Sequence, residues 1–148
     1  MLKDILTTIA PTGTIDETGE ILSLTIDAKD WREVAVQLRY HEGCKFDYLF
    51  CVTAVDWKTH FTMVYHFDAT EGRQRLVVKA KINDHTNPEI ETVCDIWRTA
   101  ELHEREAYDL MGIKFLNHPD LRRLFLTDEW VGYPLRKDYD DPINMIKL

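Results

Sequence analysis

Residues 61–82 read FTMVYHFDATEGRQRLVVKAKI, and this stretch decides the fold. Both of its ends alternate in the way that strands do, with a short polar loop between them. In the second run, one face carries Leu76, Val78, Ala80 and Ile82, whereas the opposite face is cationic. We therefore predict two neighbouring antiparallel strands with one face toward a core and the other toward water.

Two further segments extend this sheet. The segment KFDYLFCVTAVD at 45–56 is apolar on both alternating faces, which predicts a central strand. EILSLTID at 20–27 alternates and is rich in β-branched residues, which predicts another strand. Three successive strands with short connections predict an antiparallel β-meander.

Three segments have helical periodicity. The first is residues 2–9, and the second is 30–43, where Asp30 and Glu33 predict a capping box and Gly43 the end of the helix. The apolar stripe of the second helix is Trp31, Val34, Ala35 and Leu38. Residues 87–113 predict one or two helical segments that end at Gly112.

Together these elements predict an α+β fold in the order α-β-α-β-β-β-α. It is a two-layer sandwich whose antiparallel meander is covered by helices on one face. Beyond Gly112 the periodicity stops, apart from a short strand candidate at Leu121–Leu126. Residues 113–148 are nevertheless rich in aromatic and apolar side chains, so we expect an ordered segment that lies on a surface. We predict a sandwich domain at 1–112 and an extended C-terminal docking arm at 113–148, called the arm below.

Composition excludes several classes of protein. A net charge of −8 argues against a nucleic-acid-binding protein and against docking to anionic lipid. No apolar run reaches the roughly 20 residues that span a bilayer, and Asp4 interrupts any signal-peptide core, so we expect neither membrane insertion nor export. The three cysteines form no Cys-x-x-Cys pair, and no nucleotide-binding or nucleophile motif is present. We expect no cofactor, no metal and no catalytic residue in this chain.

The most charged helical stretch is LHEREAYDLMGI at 102–113. It begins like the zinc motif His-Glu-x-x-His, but Ala107 stands where the second histidine belongs. Arg105 lies four residues from both Glu101 and Asp109, which predicts a solvated ladder of ion pairs.

Glu104 shares a helix face with three apolar residues, Ala100, Ala107 and Met111. A carboxylate aimed toward a core or interface needs a cation or strong donors, because leaving it without a partner costs several kcal/mol. We expect an arginine to supply the charge, since its planar fork matches a carboxylate. The arm offers three candidates: Arg122, Arg123 and Arg136.

Three motifs in register carry a family resemblance: EREAYDLMGIKF at 104–115, HPDLRRLFL at 118–126 and GYPLRKDY at 132–139. In this order and spacing they resemble the C subunit of bacterial proton-translocating NADH:quinone oxidoreductase (complex I), whose mitochondrial counterpart is iron–sulfur-protein subunit 3. The resemblance implies a subunit that binds no flavin, nicotinamide or cluster. It implies a place in the peripheral arm of the complex, on the cytoplasmic face of the inner (cell) membrane. There the chain would dock against the large D subunit, near the cluster-bearing subunits.

Carried onto this sequence, the resemblance predicts one set of docking residues: Glu104, Arg105, Glu106, Asp109, His118, Arg122, Arg123, Pro134, Arg136 and Lys137. The chain would thus be a non-catalytic part of an NADH:quinone oxidoreductase that supports electron transfer from NADH to quinone. One alternative is the equivalent subunit of a related membrane-bound hydrogenase or F420H2 dehydrogenase. Another is a free-standing α+β enzyme that uses Glu104 or His103 as a base.

Overall fold

The computed structural model describes residues 1–146, so the last two residues of the predicted arm, 147 and 148, lie outside the described residues. The predicted element order is contained in the observed one, which adds three short strands, β1, β6 and β7. The elements of this part of the chain are α1 (Leu2–Ile9), β1 (Thr14–Asp16), β2 (Leu22–Asp27), α2 (Trp31–Tyr40), β3 (Tyr48–Asp56), β4 (Phe61–Ala69), β5 (Gln74–Ile82), β6 (Glu89–Glu91), α3 (Ala100–Met111) and β7 (Lys114–Leu116).

The main sheet has the strand order β1-β2-β5-β4-β3. The predicted antiparallel meander is confirmed, because β4 pairs antiparallel with both β3 and β5. β2 lies parallel to β5, on the far side of the meander from β3. The prediction that 45–56 forms a central strand is wrong, since β3 lies at the edge of the sheet. The edge of β3 is covered in part by α3, where the His103 ring accepts a hydrogen bond from the Val52 amide at 3.0 Å.

The core lies between the helices and one face of the sheet, which confirms the two-layer α+β sandwich. All four predicted core residues of α2 are buried, and Trp31 packs on Tyr65 of β4 with ring centroids 4.3 Å apart. The predicted apolar face of β5 is also buried. Trp97, just before α3, joins this core and donates its indole N–H to the Phe46 carbonyl at 2.8 Å.

Local chemistry at the ends of α2 differs from the prediction. The Asp30 side chain makes no capping hydrogen bond, so the capping box with Glu33 does not form. Asp27 instead accepts a hydrogen bond from the Lys29 amide and caps a short 3-10 turn that leads into α2. The helix ends at Tyr40, before Gly43 is reached.

The segment from residue 87 to α3 is less helical than its periodicity suggests. Residues Glu89–Glu91 form β6, which pairs in parallel with β7 at the beginning of the arm. Turns then lead to α3, which ends at Gly112 in a left-handed conformation (φ 75°). The strand candidate Leu121–Leu126 is not a strand, because three of its amides donate to a carboxylate of α3.

Candidate docking interface

α3 lies between the sandwich core and the arm, and both of its faces contain buried charged residues. Glu104 and Asp109 have no exposed surface, and Arg105 is also buried. The helix thus has an inner face toward the core, with Glu104, and an outer face toward the arm, with Arg105 and Asp109. The two faces satisfy their charges in different ways.

Asp109 is the centre of the outer face. One carboxylate oxygen accepts hydrogen bonds from the successive amides of Leu124, Phe125 and Leu126 at 2.7–3.1 Å. The other oxygen accepts one from Arg123 Nη1 at 3.0 Å. Burial acts to raise the pKa of Asp109, but these hydrogen bonds outweigh it and hold the pKa below its usual value. Asp109 is therefore a charged anchor for the arm.

Two arginines complete the attachment of the arm to α3. Arg123 donates to the Trp130 and Gly132 carbonyls as well as to Asp109, so it holds one loop of the arm together. Arg105 donates in the opposite direction, from α3 to the carbonyls of Arg122 and Arg123 at 3.2 and 3.1 Å. The predicted solvated ladder of Arg105 with Glu101 and Asp109 is wrong, because Arg105 and Asp109 both face the arm.

Glu104 does not pair with an arginine, which corrects the expectation that Arg122, Arg123 or Arg136 would supply its charge. Both of its oxygens lie 2.8 Å from Thr92 Oγ1, and one accepts a hydrogen bond from the Val93 amide at 3.2 Å. Burial raises the pKa of Glu104 to about 8, and these two donors only partly counter it. A carboxyl with this pKa is mostly protonated at neutral pH, so the core needs no buried cation beside it.

The far end of the arm is fixed by a second buried carboxylate, Asp56, at the end of β3. It accepts hydrogen bonds from the amides of Lys58 and Lys137 at 2.7 and 2.8 Å, and its Oδ1 lies 2.8 Å from His85 Nε2. Burial acts to raise the pKa of Asp56, but the two amides and His85 lower it overall. Asp56 therefore joins the end of the meander to the arm.

Arg136 lies beside this anchor. It donates to the His85 carbonyl at 2.5 Å, and its guanidinium lies over the Phe61 ring at 5.1 Å. Tyr133 packs against Gly112 so closely that a Cβ added there would come within 2.6 Å of the Tyr133 ring. Side-chain chemistry thus places the arm across α3 and the end of the sheet.

The remaining predicted docking residues lie nearer to solvent. His118 accepts from the Asp120 amide and lies 3.0 Å from the Glu101 carbonyl, so its ring ties the start of the arm to α3. Arg122 is exposed and bonds to Asp120 on the surface. The other three are Glu106 and Lys137, whose side chains are exposed, and Pro134, which is half-buried.

Three apolar side chains of the arm are exposed to solvent. Val131 is 88% exposed, Phe125 67% and Leu135 56%. The amides of Phe125 and Leu135 nevertheless donate hydrogen bonds to α3, to the Asp109 carboxylate and the Leu110 carbonyl. Ile113 and Phe115 at the start of the arm are buried in the core, but beyond β7 the arm is held by polar contacts and leaves these three apolar side chains outside. Such an exposed apolar surface is typical of a protein interface.

Sequence reasoning missed Asp56 and His85 as attachment points of the arm, and Thr92 as the partner of Glu104 in the core. By sequence alone the turn Asp56-Trp57 could contact a ligand, although an exposed loop aromatic residue more often packs on its own loop. The observed partner of Asp56 is the arm itself. Trp57 stacks on His60 of its own loop, with ring centroids 6.4 Å apart. An apolar strand that ends in an aspartate is a signal for Asp56, but nothing in the local sequence identifies a partner 81 positions away.

Two further observations concern other kinds of site. Within residues 1–146 no group of three or more His, Cys, Asp or Glu side chains is arranged to hold a metal ion. None of the helices in this part of the chain has the length and apolar character to span a membrane. Cys44 is buried, and burial raises the pKa of its thiol to about 11.

Comparison with known proteins shows that this chain is similar to subunits of respiratory enzymes. Residues 24–143 match the profile of the family described as "Respiratory-chain NADH dehydrogenase, 30 Kd subunit". The chain is 44% identical over 126 residues to the fused C/D subunit of NADH-quinone oxidoreductase from Phocaeicola vulgatus, a match that covers 84% of this chain and 24% of that protein. It is 50% identical over 101 residues to the C subunit of the same enzyme from Geotalea uraniireducens, which covers 66% of this chain and 61% of that protein. The chain thus spans only part of the length of these relatives.

A solved structure has a similar fold. A chain from the membrane-bound sulfane sulfur reductase, an archaeal respiratory membrane complex, superposes with a TM-score of 0.76 at 30% sequence identity. The match covers 94% of this chain and 83% of the other. The fold is therefore found in more than one kind of respiratory assembly.

Proposed function

The chain belongs to the family of the 30-kDa subunit of respiratory-chain NADH dehydrogenase, and we propose that it is a non-catalytic docking subunit of the proton-translocating NADH:quinone oxidoreductase. In this role it binds the D subunit of that enzyme through the arm and α3. It thereby holds the neighbouring cluster-bearing subunits in position for electron transfer from NADH to quinone. The assembly lies on the cytoplasmic face of the cell membrane, and this chain is a peripheral part of it.

One observation carries the proposal: polar groups fix the part of the arm that follows β7, and three apolar side chains of that part, Phe125, Val131 and Leu135, are left exposed. Asp109, Arg105 and Asp56 satisfy the backbone of the arm within the chain. Phe125 and Val131 are left in solvent, where an apolar surface gains most by binding a partner. A preformed arm also loses little conformational entropy on binding.

The relatives support the D subunit as the partner. The Phocaeicola vulgatus protein is named as a combined C/D subunit, and this chain matches only 24% of it. Fusion of two polypeptides in a relative indicates that their unfused equivalents work side by side. Six of the ten predicted docking residues divide accordingly. Arg105, Asp109 and Arg123 shape the arm, whereas Glu106, Arg122 and the Lys137 side chain are exposed and available to the partner.

The experiment is capture of the D subunit by the tagged chain. Replacing Phe125 and Val131 together by alanine removes exposed apolar surface without touching the anchors. We expect capture of the D subunit to fall roughly tenfold or more, since exposed aromatic side chains at interfaces often dominate binding. Tyr40→Ala, at an equally exposed aromatic residue on α2, is the matched control and should bind as the unchanged chain does. Equal capture by the double variant and the control would contradict the proposal.

A second candidate is the equivalent subunit of a related membrane-bound hydrogenase-type or F420H2 dehydrogenase assembly. The similarity to a chain of the archaeal sulfane sulfur reductase favours keeping it, because that complex also is a respiratory membrane complex. Purification of the tagged chain from its native membrane, with mass spectrometry of what co-purifies, separates the two. NADH dehydrogenase subunits support the first candidate, and hydrogenase-type subunits support the second.

A further inference from the structure

Two polar groups in the core of the sandwich have no hydrogen-bond partner within residues 1–146. They are the Trp31 indole N–H on α2 and the Tyr65 hydroxyl on β4, and both side chains are completely buried. Their rings pack together with centroids 4.3 Å apart. Nearly all buried polar groups in proteins are hydrogen-bonded, because a buried donor without a partner destabilises the fold. These two groups therefore indicate a partner that is not a protein group.

A neighbouring tryptophan shows how an indole is satisfied in the same core. Trp97 is also buried and stacks on Trp31 with ring centroids 6.5 Å apart. Its N–H donates to the Phe46 carbonyl at 2.8 Å. The described part of the chain thus provides a backbone acceptor for one buried indole and none for the other, although the two rings are in contact.

A third polar group, the Glu104 carboxyl on α3, lies near this pair. Burial raises the pKa of Tyr65 well above its usual value, and the negative charge of Glu104 raises it further. The Trp31 N–H acts on the same pKa in the opposite direction, although it does not reach hydrogen-bond geometry. The Glu104 oxygens accept hydrogen bonds from Thr92 and Val93 but not from Tyr65. The three groups are therefore close enough to interact, yet no direct hydrogen bond joins them.

The chemistry of the three groups defines the ligand that fits between them. An indole N–H can only donate a hydrogen bond, so its partner must be an acceptor, which excludes a metal ion or another cation. The carboxylate form of Glu104 repels an anion. The ligand must also be small, because all three side chains are completely buried. A small neutral molecule that both accepts and donates hydrogen bonds is water, which occupies such polar sites inside many proteins.

We propose that the core contains a binding site for one water molecule, which joins Trp31, Tyr65 and Glu104. The water accepts hydrogen bonds from the indole N–H and the phenol O–H and donates one to a Glu104 oxygen. These are the roughly three bonds that an internal water usually makes. The water thereby connects α2, β4 and α3, and it gives the inner face of α3 a further polar contact. This inference concerns the core and is independent of the docking proposal, so capture of the D subunit does not bear on it.

A crystal structure of the full chain tests the proposal directly. We expect an ordered water within roughly 3 Å of Trp31 Nε1, the Tyr65 oxygen and one Glu104 oxygen. In solution, the Trp31 indole proton should show a nuclear Overhauser effect to water. The Trp97 indole proton is the matched control and should show none, because its nitrogen already donates to a carbonyl. Absence of water density at this place, or an effect at Trp31 no stronger than at Trp97, overturns the proposal.

The variant Tyr65→Phe gives a second result, and its sign is decisive. If the hydroxyl binds the water, its removal costs a hydrogen bond, and the melting temperature should fall by roughly 2–4 °C. Removal of a buried hydroxyl without a partner would instead raise the melting temperature, and a rise or no change overturns the proposal. Tyr40→Phe, at an exposed tyrosine on α2, is the control and should leave the melting temperature unchanged. If Tyr65→Phe does not fold, the crystal structure of the unchanged chain still decides.

Discussion

The inner and outer faces of α3 each bury one carboxylate completely, and the two carboxylates behave in opposite ways. Glu104 on the inner face meets a hydroxyl and one amide, and burial raises its pKa to about 8. Asp109 on the outer face meets three amides and a guanidinium, and these lower its pKa despite burial. Equal burial therefore leaves one group largely neutral and the other charged.

The difference teaches what each face does. A neutral Glu104 stabilises the sandwich, because it accepts hydrogen bonds from the Thr92 hydroxyl and the Val93 amide without bringing a cation into the core. A charged Asp109 organises a segment that has no regular secondary structure of its own. Its carboxylate accepts hydrogen bonds from the amides of Leu124, Phe125 and Leu126, which have no partner in a helix or strand. One helix thus stabilises the sandwich on one side and shapes the docking arm on the other.

The largest effect should come from Asp109→Asn. The variant removes the charge opposite Arg123 and replaces an acceptor with an amide nitrogen that cannot receive the arm's N–H groups. Breaking a buried ion pair on one side costs about 3–5 kcal/mol. Urea unfolding should show this loss, and limited proteolysis should cut after Arg122 and Arg123 sooner than in the unchanged chain.

The matched control for this variant is Asp120→Asn. Asp120 also pairs with an arginine, Arg122, but the pair is exposed to water, so the expected loss is below about 1 kcal/mol. Similar losses in the two variants would show that the outer face of α3 is not the anchor described above.

The next largest effect on stability should come from Glu104→Gln, and its size depends on pH. Because the folded pKa of Glu104 is raised from 4.5 to about 8, its favourable contribution is complete below pH 4.5 and is lost as the pH rises through about 8. Glutamine stays neutral at every pH. The variant should therefore nearly match the unchanged chain at pH 5 and be more stable at pH 9. The expected gain between the two is about 4 kcal/mol, because each of the three pH units from 5 to the folded pKa of about 8 corresponds to about 1.4 kcal/mol.

Thermal or urea unfolding at pH 5, 7 and 9 measures this difference. Glu101→Gln, at a half-buried position on the same helix, should change stability by less than about 0.5 kcal/mol at each pH. A loss of equal size at pH 5 and pH 9 for Glu104→Gln would mean that Glu104 is charged in the folded chain.

Asp56→Asn should have a smaller and more local effect. Asp56 fixes the far end of the arm through the Lys137 amide, and a lost hydrogen bond to a charged group costs about 1.5–3 kcal/mol. Because its folded pKa is lowered, this contribution is present at neutral pH and is lost as the pH falls through the folded pKa. Proteolysis after Arg136 should become faster, while Arg122 and Arg123 stay protected by Asp109.

Asp128→Asn serves as the control for the far end of the arm, since Asp128 is exposed. If proteolysis after Arg136 is equally slow in Asp56→Asn and Asp128→Asn, then Asp56 does not attach the arm.

Much of the fold was predictable because it depends on short-range periodicity. The meander, the buried stripe of α2 and the end of α3 at Gly112 follow from alternation, a 3.6-residue period and the left-handed freedom of glycine. Pairing between distant segments was not predictable in this way. The parallel neighbours β6 and β7 are three residues each, too short for any periodic signal.

The candidate site was predictable in its residues but not in its contacts. The motif at 104–115 marks α3, yet helical spacing alone assigned Arg105 and Asp109 to a solvated ladder. Their real partners are mostly backbone groups of the arm, 15 to 18 positions away from them. A backbone carbonyl or amide has no identity in the sequence, so a side chain that binds one has no visible partner. For the same reason, the hydrogen bond between the Asp56 carboxylate and the Lys137 amide could not be predicted.

The smallest effect on stability should come from Arg122→Gln, and it separates shaping of the arm from binding by the arm. Arg122 and Arg123 are neighbours, but the Arg123 side chain is held by Asp109 and two carbonyls, whereas the Arg122 side chain pairs with Asp120 in solvent. The carbonyl of Arg122 still accepts from Arg105 after the substitution. Stability should therefore change by less than about 1 kcal/mol in urea unfolding. Capture of the D subunit should nevertheless weaken, because the exposed guanidinium can reach a partner's carboxylate. A stability loss as large as that of Asp109→Asn would place Arg122 among the anchors instead, and unchanged capture would remove it from the docking surface.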